Sequence, residues 1–303
     1  MNRLGLWLGV LCLSTSAASG QQLADTAFHP ALARPAFPGG GGPVVAIDSG
    51  HDNFHTAGGR YAPFAELLRR DGYRVRTHAG LLTAASLEDV DILVIANALH
   101  PSNRGYSVLP TPSAFDRDEV ASVREWVEQG GSLLLIADHM PFAGAAADLA
   151  AAFGFHLRNG FAMDTLGGGA IVFRRADGGL PASPARADRP GVPRVDSVAS
   201  FTGEAFTADP GAVALLRLPG STVSLEPRIA WQFDSTTVRT PAGGLLQGAV
   251  RQVGRGRVAM LGEAAMFTAQ LAGPQQIPMG MNAPEAGGNV SFLRNLLWWL
   301  APH

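Results

Sequence analysis

Polar side chains that could do chemistry fall just past apolar runs in this chain. Asp48, Ser49, His51, Asn53 and His55 follow Val44-Val45-Ala46-Ile47. Asn97 and His100 follow Ile92-Leu93-Val94-Ile95-Ala96, and Asp138 and His139 follow Leu133-Leu134-Leu135-Ile136-Ala137. Glu263 closes Val258-Ala259-Met260-Leu261-Gly262. An apolar run ending in a polar cluster reads as a buried strand entering a loop, and open α/β sheets bind ligands beyond the carboxyl ends of their strands. Parallel strands would bring all these tips to one edge. There an Asp- or Glu-oriented histidine could act as general base on water. His51, His139, Asp138 and Glu263 are the candidates for catalysis; Asp48, Ser49, Asn53, His55, Asn97 and His100 are the candidates for ligand binding. His29, His78, His156 and His303 read as structural.

Other chemistries fit less well. His51, Asp52, His55, Asp138 and His139 are plausible N/O metal ligands. However, His51-x-x-x-His55 aligns two rings only on a helix, and this segment reads as a loop; His-Glu-x-x-His is absent. A divalent metal is compatible with the chain, and its identity is open. Ser49 follows a strand but lacks the Gly-x-Ser-x-Gly context and a late Asp-x-x-His. Ser49 and Asp48 also suit local loop capping. Gly58-Gly59 and Gly167-Gly168-Gly169 match no dinucleotide or P-loop fingerprint, so no nucleotide cofactor is expected.

The elements that must position these groups alternate. A strand at 44–48 is followed by a helix at about 60–71 with Phe64, Leu67 and Leu68 on one face, stopped by Gly72. A strand at 73–78, a short helix within 81–90 and a strand at 91–97 come next. Asp116 and Glu119 form a capping-box pattern before a stripe of Val120, Val123, Trp126 and Val127, ended by Gly130-Gly131. A strand at 132–138 leads to an Ala-rich helix at 145–153. Strands without polar alternation belong to parallel sheets covered on both faces, and the β-α alternation implies right-handed crossovers and a doubly wound, mostly parallel sheet. Gly, Pro and Asp punctuate 155–230, which reads as an insertion or lid with strands near 170–174 and 213–218. A hairpin turns at Gly254-Arg255-Gly256, and a final helix spans about 288–301.

The chain has 303 residues, 47% hydrophobic, with a formal charge of −2. That supports one large domain, here 43–303, after a flexible Pro/Gly-rich lead-in at 21–42. The charge and the lack of a basic cluster argue against nucleic acid as a partner; the expected partner is a small polar ligand or a cell-envelope component. Arg3, the apolar stretch Leu4 to Leu13 and the small residues Ala18-Ser19-Gly20 read as a signal peptide cleaved before Gln21, so the protein is expected to be exported, periplasmic or secreted. Cys12 is the single cysteine. Leu11 is too bulky for a lipoprotein pattern, and cleavage leaves the mature chain without a thiol, hence without a cysteine nucleophile. No transmembrane segment is expected in the mature chain.

The run Asp91 to Asn97, followed by Trp126-Val127-x-x-Gly130-Gly131-Ser132-Leu133-Leu134-Leu135-Ile136-Ala137-Asp138-His139, resembles the class I glutamine amidotransferase-like superfamily. More narrowly it resembles an uncharacterised bacterial family of domains of unknown function, related to the gliding-motility and intraflagellar-transport branch. Asp48, Gly50, His51, Asn53, Gly262, Glu263, Asn289 and the Trp-rich last helix fit the same pattern, which covers about 43–155 and 244–301. The resemblance implies a flavodoxin-like fold. True amidotransferases carry a cysteine on the sharp turn after a central strand; this turn holds Asp138-His139, so thiolate hydrolysis of glutamine is excluded. The opening His51-Asp52-Asn53, with Gly58-Gly59 and Gly72-Tyr73-Arg74-Val75, is similar to zinc-dependent N-acetylglucosaminyl deacetylases. It lacks their proline, has Asn53 for an acid, and has no His-x-x-His. Together these readings imply an exported domain that binds a sugar or cell-envelope fragment at the strand-end edge; the alternative is a deacetylase-like hydrolase using a His/Asp base.

Overall fold

A computed structural model describes residues 22–105 and 107–302; the signal peptide expected at 1–20, with Cys12, lies outside the described residues. The main sheet is built from β1 (Val44–Asp48), β2 (Arg74–His78), β3 (Ile92–Ala96), β4 (Ser132–Ile136), β5 (Phe155–Leu157), β6 (Phe206–Ala208), β7 (Val213–Arg217), β8 (Leu246–Val253) and β9 (Gly256–Leu261). Its order is β2-β1-β3-β4-β9-β8-β6-β5, with β7 also on β8. The first five pair in parallel, and the rest extend the sheet antiparallel. The parallel part has the flavodoxin-like order, with its switch point between the carboxyl ends of β1 and β3.

Five helices pack on this sheet: α1 (Ala62–Arg70), α2 (Ala84–Leu87), α3 (Arg117–Glu128), α4 (Phe142–Ala152) and α5 (Asn289–Leu300). Alternate strand residues point to opposite faces, so an unbroken apolar strand needs two covers. Val45, Ile47, Val94, Leu134 and Leu261 share a core with Phe64, Leu67 and Leu68 of α1 and Phe292 and Leu296 of α5. Ala46, Leu93, Ile95, Leu133 and Met260 share the other core with Leu87 of α2, Val123 and Val127 of α3 and Leu149 of α4. At about 1.5–3 kcal/mol for each fully buried large aliphatic side chain, these two layers hold the strand ends in register. The capping box expected at α3 is formed in both directions, between Asp116 and Glu119. No helix among the described residues is long and apolar enough to cross a membrane.

Two stretches differ from the sequence reading. The lead-in is ordered: Gln22–Ala24 pairs with Ala269–Ala272, and Phe28, Leu32, Ala36 and Phe37 pack against the core. Four apolar anchors spaced through a Pro/Gly-rich stretch hold it without regular structure. The 155–230 segment is not confined to a peripheral insertion, since β5, β6 and β7 lie in the main sheet. The remainder, joined by Val238–Pro241, builds a small sheet with Phe161–Asp164 and Thr222–Glu226, which supplies one wall of the site below, and a hairpin of Ile171–Arg174 with Ser197–Ser200.

Candidate functional site

The polar tips past β1, β3, β4 and β9 do meet along the carboxyl edge, but in two different settings. The first is closed. Asp48 ends β1 fully buried and accepts from the backbone N–H of Gly50 at 3.0 Å. His51 Nδ1 lies 2.9 Å from Asp48 Oδ2, and Nε2 lies 2.9 Å from Glu119 Oε1 in the first turn of α3. Glu119 also accepts from the N–H groups of Leu82 and Asp116. Burial works against a charged ring here, yet the hydrogen bonds and charges of Asp48 and Glu119 outweigh it and raise His51 above its ordinary value. Burial likewise opposes ionisation of Asp48, but its hydrogen bond from His51, with the His78 ring 3.8 Å away, lowers it to about 2. His51 is therefore clamped between Asp48 and Glu119 with both ring nitrogens engaged. Neither nitrogen is free to take a proton from water, so the general-base role expected of it has no geometry behind it.

The second setting opens to the surface. Asn97 adopts φ of 52°, a left-handed conformation that asparagine tolerates better than most residues. It laces three loops: its carbonyl accepts from Phe54 N at 2.9 Å, its side-chain Oδ1 accepts from Asp138 N at 2.9 Å, and its own N–H reaches Ile136 O. Asp138 accepts from the N–H of His139 at 2.8 Å. Glu263 is fully buried and caps the short turn Ala265–Phe267, accepting from Ala265 N at 2.8 Å and Met266 N at 2.7 Å. Burial raises Asp138 above the usual carboxylate range. Burial, and then the charge of Asp138, raises Glu263 well above it. Tyr61 lies beside this pair and donates to Ala264 O at 3.0 Å.

His139 forms the rim. Its Nδ1 donates to Met140 O at 2.8 Å. Its ring stacks on Phe161 at 4.4 Å and meets the edge of Trp231 at 4.7 Å. Phe233 packs on Phe161 at 5.2 Å, while on the other side Phe142 and Phe54 continue the row of rings. The guanidinium of Arg60 lies 3.8 Å over the Phe54 ring. Trp231 is 56% exposed, Phe54 40% and Phe233 37%. Trp231 also holds φ of 66°, a conformation costly for a bulky residue. Loop pairing fixes it there, with Leu109 N donating to Arg228 O and Ala230 N to Ser107 O.

The other candidates have local duties. Ser49 Oγ donates to His78 O, and His100 accepts from Ser102 N. Asn53 Oδ1 accepts from His51 N, and Asp52 is bound bidentately by Arg104. His55 is 3% exposed with no partner at Nδ1, and burial, then the Arg60 charge, lowers it to about 3. Among the described residues no group of three or more His, Cys, Asp or Glu is arranged to hold a metal ion. Two hollows of about 610 Å³ each lie at the opposite, amino edge of the sheet, one beside Val44, Arg74 and Asp91, the other beside Trp126 and Gly131.

Sequence reading missed Glu119 as a partner of His51, because its capping pattern already explained it. It also missed the aromatic row. The available signal was Trp231 and Phe233 in a stretch to which no element was assigned, where exposed rings have no core to serve. Glu204, fully buried and raised by burial to about 8, was missed as well; it accepts from the N–H groups of Arg158 and Asn159 behind the same wall.

No family model and no curated protein matches the chain. Solved structures do. The IFT52 N-terminal domain (mmIFT52) aligns over 84% of this chain and 96% of its own, at 14% identity and a TM-score of 0.58. The cytoplasmic protein STM3548 from Salmonella typhimurium aligns over 86% and 100%, at 15% identity and a TM-score of 0.50. A ThuA-like protein from Bacteroides uniformis aligns over 90% and 94%, at 12% identity and a TM-score of 0.47. The likeness is one of fold. It agrees with an α/β domain built on a large, mostly parallel sheet, whose turn after β4 here presents Asp138 and His139.

Proposed function

We propose that this chain is an exported binding domain, on a doubly wound amidotransferase-like sheet, that takes a small polar ligand at the carboxyl edge. The ligand class is a sugar or a cell-envelope fragment. The observation that carries this reading is Asp138 beside His139, with His139 packed between Phe161 and the exposed Trp231. A buried carboxyl supplies directional hydrogen bonding, and exposed rings offer a flat apolar face. Ligand sites combine a few placed polar groups with aromatic walls in this way, and a sugar ring presents hydroxyls at its edge and C–H groups on its face. Thermal unfolding with a panel of soluble cell-envelope glycan fragments tests it. Saturation to about 100 times Kd stabilises by about 2.7 kcal/mol. The expected result is a raised Tm for at least one fragment in the wild type and none in Trp231→Ala or Asp138→Asn. No shift with any fragment, or shifts retained in both variants, contradicts the reading.

A hydrolytic reading has one supporting observation. Burial raises Asp138 above the usual carboxylate range, the direction a general acid requires. With His51 enclosed, the proton-transfer roles would fall to Asp138 and His139. Turnover of chromogenic acyl, amide or glycosyl substrates, abolished in Asp138→Asn, is the result that would favour it.

A further inference from the structure

We infer that Glu204 is the residue that positions the aromatic wall of the mouth, and that gain or loss of its proton resets how that wall is held. Glu204 thereby regulates the site proposed above, a role that rests on that reading; its test uses no ligand, so the two can fail separately. Glu204 is fully buried. Its backbone is tied to the main sheet: its N–H donates to Gly262 O at 2.8 Å, and its carbonyl accepts from Gln247 Nε2 at 3.4 Å. Its side chain reaches the other way. Oε1 accepts from Arg158 N at 3.1 Å and Oε2 from Asn159 N at 2.8 Å. Both oxygens of one carboxyl are thus engaged by two consecutive amides. A carboxylate accepts fully at both, whereas a protonated carboxyl gives up part of that capacity to its own O–H.

From the loop that Glu204 holds, contacts run straight to the mouth. Gly160 O accepts from Met140 N at 3.3 Å, next to His139. Asn159, at φ of 58°, accepts from Gly144 N of α4 at 2.8 Å and donates to Thr111 Oγ1 at 2.9 Å. Phe161 follows at once, its ring 4.4 Å from His139 and 4.7 Å from Trp231. A Cβ on Gly160 would lie 3.0 Å from Leu225 O, so the loop has no slack toward the small sheet. The groups facing the carboxyl are few. Arg158 favours its ionisation, but that guanidinium is 3.9 Å from Glu226 and donates to Thr240 Oγ1 at 2.6 Å. On the sheet side Gln247 is neutral, and Glu263, with Asp138 beyond it, packs beside Gly203, where a Cβ would lie 3.0 Å from Glu263 Cβ. The amides and Arg158 favour the charged form, yet burial outweighs them and raises Glu204 to about 8. Crossing that value changes the acceptor capacity offered to Arg158 and Asn159, and with it the seat of Phe161 against His139 and Trp231.

The test follows the fluorine resonance of Trp231 in 5-fluorotryptophan-labelled full chain, assigned by Trp231→Phe, between about pH 6 and 9.5. It is run on the wild type, Glu204→Gln and Glu204→Asp. The expected result is a step in the wild-type Trp231 shift with its midpoint near 8, absent from Glu204→Gln, whose amide carries no titrating proton. Steps that belong to His139, which touches Trp231 directly, or to the Asp138–Glu263 pair are common to both proteins. Glu204→Asp keeps the charge and shortens the reach, so its midpoint is expected to move; it keeps the experiment decisive should Glu204→Gln fail to fold. A Trp231 resonance with no step near 8 overturns the assignment. So does a step retained unchanged in either variant. In both cases the glycan panel decides the binding reading separately.

Discussion

His51 shows how one histidine can look catalytic and be structural. A residue following a strand, beside an aspartate, has the sequence context of a general base. In the fold its two ring nitrogens are consumed by Asp48 and Glu119, both buried. Breaking a buried ion pair by removing one partner leaves a charge stranded and costs about 3–5 kcal/mol. Glu119→Gln is therefore expected to lower the unfolding free energy by about that amount in urea titrations, while leaving any ligand-induced stabilisation at the Trp231 mouth intact. His55 makes the opposite case. Burial holds its folded pKa at about 3 against an ordinary 6.5, so the unfolded ring takes up a proton that the folded ring refuses. Its contribution is complete above pH 6.5 and is lost as pH falls toward 3, at about 1.4 kcal/mol per unit. Between pH 6.5 and 5 the wild type is expected to lose about 2 kcal/mol more stability than His55→Leu; parallel pH profiles for the two proteins would refute this. These residues were legible as polar tips in the sequence. Their protonation states were not, because those depend on burial in the finished fold and, for His51, on Glu119, which sits far along the chain.

The elements were easier to read than the groups they carry. β1, β3 and β4 announce themselves as short runs without polar alternation, and the capping box of α3 forms as its pattern implies. β5 and β6 are three residues each, too short for any period to show, and they hid inside a segment read as an insertion. The lead-in was misread for a related reason: composition reports glycine and proline but not that Phe28 and Phe37 find a core. The hairpin of β8 and β9 was legible from Gly254-Arg255-Gly256, and packing explains why glycine sits at its second arm. A Cβ on Gly256 would lie 2.1 Å from the carbonyl oxygens of Gly131 and Val127, at the end of α3. Neither atom is on a flexible side chain. Gly256→Ala is expected to destabilise by about 1–3 kcal/mol, the range for forced overpacking, read as a lower urea midpoint with an unchanged m-value.

At the scale of the whole molecule the two edges of the sheet compete for the role of binding site. The amino edge has two hollows of about 610 Å³, beside Trp126 and the first residues of β1 and β2. The carboxyl edge has the chemistry: the switch point, the Asp138–Glu263 pair, and an exposed ring, Trp231, held in a costly backbone conformation. The hollows speak for the first, while the number of groups whose placement opposes their own stability favours the second. Each edge carries its own tryptophan reporter. The most direct measurement is a fluorine NMR spectrum of protein labelled with 5-fluorotryptophan, its resonances assigned by Trp231→Phe and Trp126→Phe, titrated with the glycan panel. A ligand at the carboxyl edge is expected to shift the Trp231 resonance and leave Trp126 in place. A shift of Trp126 with Trp231 unmoved would contradict the account.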